Sequence, residues 1–111
     1  VHSSGRVILS VAGLPDSAPW LVSSAALAPG AWHMVTATYD GSTRLGTIYL
    51  NGARDTAAVF PGFTPQATAP LTLGRASWYD GYYLAADLDE VRLMDYSQSA
   101  AEVLADYQAF P

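Results

Sequence analysis

The pattern of apolar, β-branched and turn-forming positions is clearest from Trp32 to Gly52, WHMVTATYDGSTRLGTIYLNG. Residues 32–39 are mostly aromatic, β-branched or small, and Asp40-Gly41-Ser42-Thr43 breaks the run. A second run from Leu45 to Leu50 is closed by Asn51-Gly52, a dipeptide suited to a tight hairpin because both turn residues take φ > 0. Arg54 to Val59 pairs back across that turn as a third strand, which gives a local antiparallel meander. Upstream, residues 5–12 (GRVILSVA) form a short apolar strand ended by Gly13 and Pro15-Asp16, and Pro19 to Ser24 forms a weaker one. Ala25 to Gly30 is a loop.

Downstream, Pro61 to Pro70 holds three prolines and a glycine and reads as a surface connection. Leu71 to Arg75 is a short strand, Ala76 to Gly81 a loop, and Tyr82 to Asp95 a long strand. Turn signals about every ten residues predict an all-β sandwich or barrel. The end of the chain changes character. Ser99-Ala100-Ala101-Glu102 is a capping box opening a two-turn helix, with Val103, Leu104 and Tyr107 on its apolar side. Such a helix is too short to stand alone and must dock on a sheet.

Composition narrows the function. The 111 residues predict one domain over 1–111. Ten acidic residues face five basic ones, a net charge of −5, which argues against nucleic acid and anionic membranes as partners. Neutral sugars or cations fit better. There is no cysteine, so disulfides and thiolate metal sites are excluded. No apolar run is long enough to span a bilayer.

The cluster Ser77-Trp78-Tyr79-Asp80-Gly81-Tyr82-Tyr83 sets four aromatic rings beside a turn. Sugar rings present C–H faces that lie flat on indole and phenol rings, while Asp and Tyr oxygens meet their hydroxyls; rings held on a loop give such contact at low entropic cost. Trp78, Tyr79, Asp80, Tyr82 and Tyr83 are therefore the candidate carbohydrate-binding residues, with Trp20 lining the same surface. Strand alternation sends one of Tyr82 and Tyr83 to the core instead. Trp32 reads as a core residue and His33 as a surface or sheet-edge histidine. Neither a Gly-x-Ser-x-Gly elbow nor a Gly-rich phosphate loop occurs.

The ordered blocks Trp32-His33, Thr38-Tyr39-Asp40-Gly41, Tyr49-Leu50-Asn51-Gly52, Leu71-Thr72-Leu73-Gly74-Arg75 and Leu88-Asp89-Glu90-Val91-Arg92-Leu93 resemble laminin G-like domains of the concanavalin A-like lectin/glucanase superfamily. The resemblance implies an antiparallel two-sheet jelly-roll sandwich with a short C-terminal helix. It covers the C-terminal two-thirds of such a domain. The early strands of the family are then either supplied by another polypeptide segment or replaced by self-association, so a free-standing monomer is not expected. The implied role is a non-catalytic carbohydrate-recognition module of a secreted bacterial enzyme or surface protein, extracellular in either case. The alternative is a structural domain that packs on a neighbouring domain or chain.

The acidic run Asp87-Leu88-Asp89-Glu90 bears on two further readings. Laminarinase-type hydrolases of the superfamily carry carboxylates on alternate positions of one strand. On a strand, Asp87 and Asp89 share a face at about 6.6 Å, near the roughly 5–5.5 Å of retaining glycosidases. Glu90 points the other way, however, and the pattern continues into Val91 and Arg92. Family members also place an acidic residue near a structural calcium, which makes Asp87 and Asp89 candidate Ca2+ ligands. In the plainest reading, Glu90 pairs with Arg92 and Asp89 accepts backbone hydrogen bonds.

Overall fold

The computed structural model describes residues 1, 3–10, 21–62, 71–75 and 83–110. Strands β1 (Arg6–Leu9) and β2 (Leu21–Ala26) form a two-stranded antiparallel sheet, and β3 (Val35–Asp40), β4 (Leu45–Leu50) and β5 (Ala53–Val59) form a three-stranded one in the order β3-β4-β5. Helix α1 (Ala100–Ala109) follows. The expected meander is present, and its turn has the expected chemistry: Asn51 and Gly52 sit at φ 51° and 79°, the left-handed values a tight hairpin requires. All-β sandwich architecture is the result.

Central strand β4 explains how the layers meet. Its four middle residues, Gly46 to Tyr49, are all buried, so both faces of the strand are covered. On one face Ile48 packs with Phe60, Val7 and Leu21 as the core, with Leu9, Tyr39 and Leu50 against it. Strands β1 and β2 cover β4 and β5 on this side. Gly46 leaves room for Phe60: a Cβ there would lie 2.9 Å from the ring. Tyr39 and Phe60 meet at a tilted 5.8 Å, a favourable aromatic arrangement.

The β1–β2 pair contains a bulge. Ile8 pairs with Val22 but Arg6 pairs with Ala26, so β2 carries extra residues opposite Val7. The fully buried Ser23 spans the gap, its Oγ accepting from Val7 N at 2.9 Å and donating to Ala25 O at 2.7 Å. Asp55 then ties the sheets together. Its carboxylate accepts from Ser24 N at 2.6 Å and Ala25 N at 3.1 Å, which closes the side of β2 turned toward β5.

Helix α1 begins as the sequence predicts. Ser99 Oγ accepts from Glu102 N at 3.2 Å, and Glu102 Oε1 accepts from Ser99 N at 3.3 Å. It runs to ten residues rather than two turns, and Val103 is fully buried. Docking is through Tyr107 on the hairpin turn, where a Cβ on Gly52 would lie 2.7 Å from Tyr107 Cβ.

Two expected strands do not form. Leu71 to Arg75 contributes one bridge, Arg75 to Tyr83, and the long strand over Tyr82 to Asp95 is absent among its described residues. A strand needs a ladder partner, and residues 84–95 have none among the described residues. Glu90 also lies at φ 51°, a left-handed value that interrupts extended chain. Trp32 is a further correction: it is 71% exposed, not core, because among the described residues sheet β1–β2 packs over β4 and β5.

Candidate functional site

Two surface features carry functional candidates. The first is the base of the aromatic loop. Arg75 bridges Tyr83, and Leu84 N donates to Gly74 O at 2.7 Å, so the two ends of the segment 76–82 are held together as in a hairpin. Thr72 Oγ1 donates to Arg75 O at 2.9 Å and braces the near side. Tyr83 is 65% exposed at this base, so it is not the tyrosine that strand alternation sends to the core. The other predicted sugar-binding residues, Trp78, Tyr79, Asp80, Tyr82 and Trp20, lie outside the described residues.

The predicted carboxylate pair does not share a strand face, because no strand forms there. Asp87 and Asp89 are both exposed, and Asp89 Oδ1 accepts from Glu90 N at 2.8 Å. The alternation on which a hydrolase arrangement rested is therefore gone. No group of three or more His, Cys, Asp or Glu residues that could hold a metal is found among the described residues. Two carboxylates fall well short of the six to eight oxygens calcium takes, so these donors alone do not fit the ion. The local ion pairing follows the plainest reading. Arg92 lies 4.0 Å from Glu90 and 3.7 Å from Asp106, and its guanidinium sits 4.9 Å over the Phe110 ring.

Those contacts build the second feature, which sequence reasoning missed. Arg92 joins Asp106 and Phe110, and Gln98 Nε2 donates to Asp106 Oδ2 at 2.8 Å. The segment 89–98 is thereby fastened to the end of α1 and stands across from β3. Between them runs an open groove of about 1600 Å³, lined on one side by residues 32–41 and on the other by 89–98. Trp32, Val35, Leu93 and Tyr96 expose apolar surface to it. A smaller groove on the other side of Trp32 reaches Asp87 and Leu88.

His33 stands where the two grooves meet. Its Nε2 donates to Ala28 O at 2.9 Å, which leaves Nδ1 to accept from Asn51 Nδ2 at 3.4 Å. Asn51 Oδ1 in turn accepts from Met34 N at 3.0 Å. The histidine is thus part of the bracing of the β4–β5 turn against the start of β3. At the other end of β3, the hydroxyl and amide of Ser42 both bond Asp40, and hold its carboxyl below the ordinary carboxylate value.

Two antiparallel sheets packed on one another, with a short C-terminal helix, define a β-sandwich. The family model described as the concanavalin A-like lectin/glucanases superfamily, of the laminin G type, matches residues 1–104. The chain belongs to that family. A search of curated proteins finds no match. Among solved structures, the chain is similar to an S-layer domain-containing protein from Clostridium thermocellum, with 24% identity and a TM-score of 0.62. The match covers 80% of this chain and 45% of that one, so this chain spans less than half the length of the structure it resembles. At that identity the likeness establishes the fold.

Proposed function

We propose that this chain is a non-catalytic recognition module of an extracellular or cell-surface protein, and that it binds neutral glycan at the aromatic loop based on Arg75 and Tyr83. The carrying observation is the exposed Tyr83 ring at a hairpin base fixed by the Leu84–Gly74 hydrogen bond. Trp78, Tyr79 and Tyr82 stand in the sequence between the two ends that this bond holds together, and a ring fixed in place binds with little ordering cost. The acidic net charge favours uncharged ligands over sulfated ones. Membership of a superfamily that includes lectins supports the ligand class, and the surface-layer relative supports the location.

Affinity electrophoresis through a panel of soluble polysaccharides, with and without EDTA, tests the reading. Retardation by a neutral polysaccharide that is lost in Tyr83→Ala and in Trp78→Ala is expected. Persistence of retardation in EDTA would exclude calcium from the contact. Absence of retardation by every polysaccharide, in folded protein, would remove the glycan reading. A second reading, an interaction domain that packs on another polypeptide, is favoured by one specific observation: the open edge of β3 beside exposed Trp32 and Leu93.

A further inference from the structure

We propose that the groove along β3 is a strand-acceptor site. It takes one extended segment of a partner polypeptide, with apolar residues at alternate positions and Lys or Arg at its flanks, bonded to the outward backbone of Val35 and Ala37. The proposal is independent of the aromatic loop.

The ladder geometry identifies which groups are on offer. Asn51 N donates to Met34 O at 2.8 Å, so Met34 and Asn51 form a hydrogen-bonded pair in register with Val35↔Leu50 and Thr36↔Tyr49. Bonded and non-bonded pairs alternate in an antiparallel ladder. Thr36 and Thr38 therefore direct N–H and C=O toward β4, while Val35 and Ala37 direct theirs outward. β3 is the edge of its sheet, and no bond to these outward groups occurs among the described residues.

Edges are normally blunted by charge, proline, a bulge or a covering group. β2 shows the device, because Asp55 takes two of its amides. β3 has neither proline nor bulge: its six pairs run without a register shift, and its sequence VTATYD carries one charge, at the last residue.

The groove also states what fits. At about 1600 Å³ it exceeds the roughly 300–1,000 Å³ typical of small-molecule pockets, and it is as long as the strand that forms its wall. Five carboxylates line the groove against one guanidinium, that of Arg92, and Arg92 is already held by Asp106 and Phe110. An acceptor of this charge selects a basic strand. It disfavours a second copy, which brings the same acids, and whose β3 would carry two more strands into a groove walled on its far side by 89–98.

The test is amide hydrogen exchange on the 15N-labelled chain with a ten-residue synthetic peptide of three Val-Thr repeats flanked by two lysines at each end. Exchange at Val35 and Ala37 is expected to slow by about ten-fold or more, while Thr36 and Thr38 are protected with or without peptide. A glutamate-flanked version of the peptide should fail. Two variants locate the site. Ala37→Pro removes an outward N–H and leaves the β4-side ladder intact, and Leu93→Asp places a charge on the far wall at a residue 82% exposed, where folding does not depend on it. Each should weaken peptide protection of Val35 by about ten-fold. No slowing at Val35 and Ala37 at millimolar peptide would overturn the proposal, as would unchanged binding in both variants. A dimer by light scattering in which these amides are protected before peptide is added would give the edge to a second copy instead.

Discussion

Replacing Ser23 with alanine isolates the cost of one buried amide. In the parent chain the Ser23 hydroxyl substitutes for a ladder partner at the β1–β2 bulge and accepts from Val7 N at 2.9 Å. Ser23 is fully buried and Val7 is 8% exposed, so water does not replace the lost oxygen. Ala25, which receives the second bond from Ser23, is exposed and can turn to solvent. The loss is then dominated by one unsatisfied N–H, about 1–3 kcal/mol. That corresponds to a fall in melting temperature of roughly 4–8 °C for each kcal/mol in a domain of this size. Urea unfolding followed by circular dichroism measures it directly, with Ser24→Ala as the control, since Ser24 is exposed and its alanine variant should stay within about 0.5 kcal/mol of the parent. A loss in Ser23→Ala no larger than that of the control would refute the reasoning, because it would mean that Val7 N finds another partner or that the bulge is not the structure in solution.

Three further outcomes follow from the same structure. Gly52→Ala combines a left-handed backbone with a Cβ 2.7 Å from Tyr107; conformation costs about 1–2 kcal/mol and overpacking about 1–3 more, and loss of tyrosine near-ultraviolet dichroism would report undocking of α1. Ser99→Ala removes the cap that Glu102 N uses, and should cost about 1 kcal/mol in urea unfolding with little change at β3–β5 by hydrogen exchange. Asp40 titrates lower in the fold than in the unfolded chain because Ser42 bonds the ionised form. Its contribution is therefore complete above the unfolded value near 3.9 and is lost as pH falls through the lower folded value; the stability gap between the parent and Asp40→Asn should close below about pH 4, and a gap that persists to the lowest pH measured would contradict the assignment.

What could be read from the sequence was what is determined locally. The meander was legible because Asn51-Gly52 fixes the β4–β5 turn and the pairing of Leu50 with Ala53 beside it, and the helix start was legible because Ser99 and Glu102 satisfy each other within four residues. The segment 82–95 was not, since alternation at Leu88, Val91 and Leu93 describes a strand only where a ladder partner exists, and the partner is a tertiary fact. Trp32 failed for a related reason. An indole next to a strand is expected to be covered, but the covering layer lies over β4 and β5, not over β3. Ser23 and Asp55 gave no signal at all, since a buried hydroxyl at a bulge and a carboxylate over backbone amides look like ordinary polar residues in sequence.

The reading of Trp32 as core and of Leu88 and Leu93 as strand failed on one side of the molecule. Trp32, Val35, Leu88 and Leu93 are apolar residues left exposed around the two grooves that meet at Trp32. Their chemistry is that of residues buried on one face, and Val35 does lie on a strand, β3. Tyr83, at the base of the aromatic loop, lines neither groove, and among the described residues no bond is made to the outward backbone of Val35 and Ala37. The proposed partner strand would supply ladder bonds to Val35 and Ala37 and apolar side chains to Trp32 and Leu93. Trp32, which sequence reasoning assigned to the interior, thus lies on the groove where a partner strand is proposed, and because Tyr83 lines neither groove the two proposals can be tested separately.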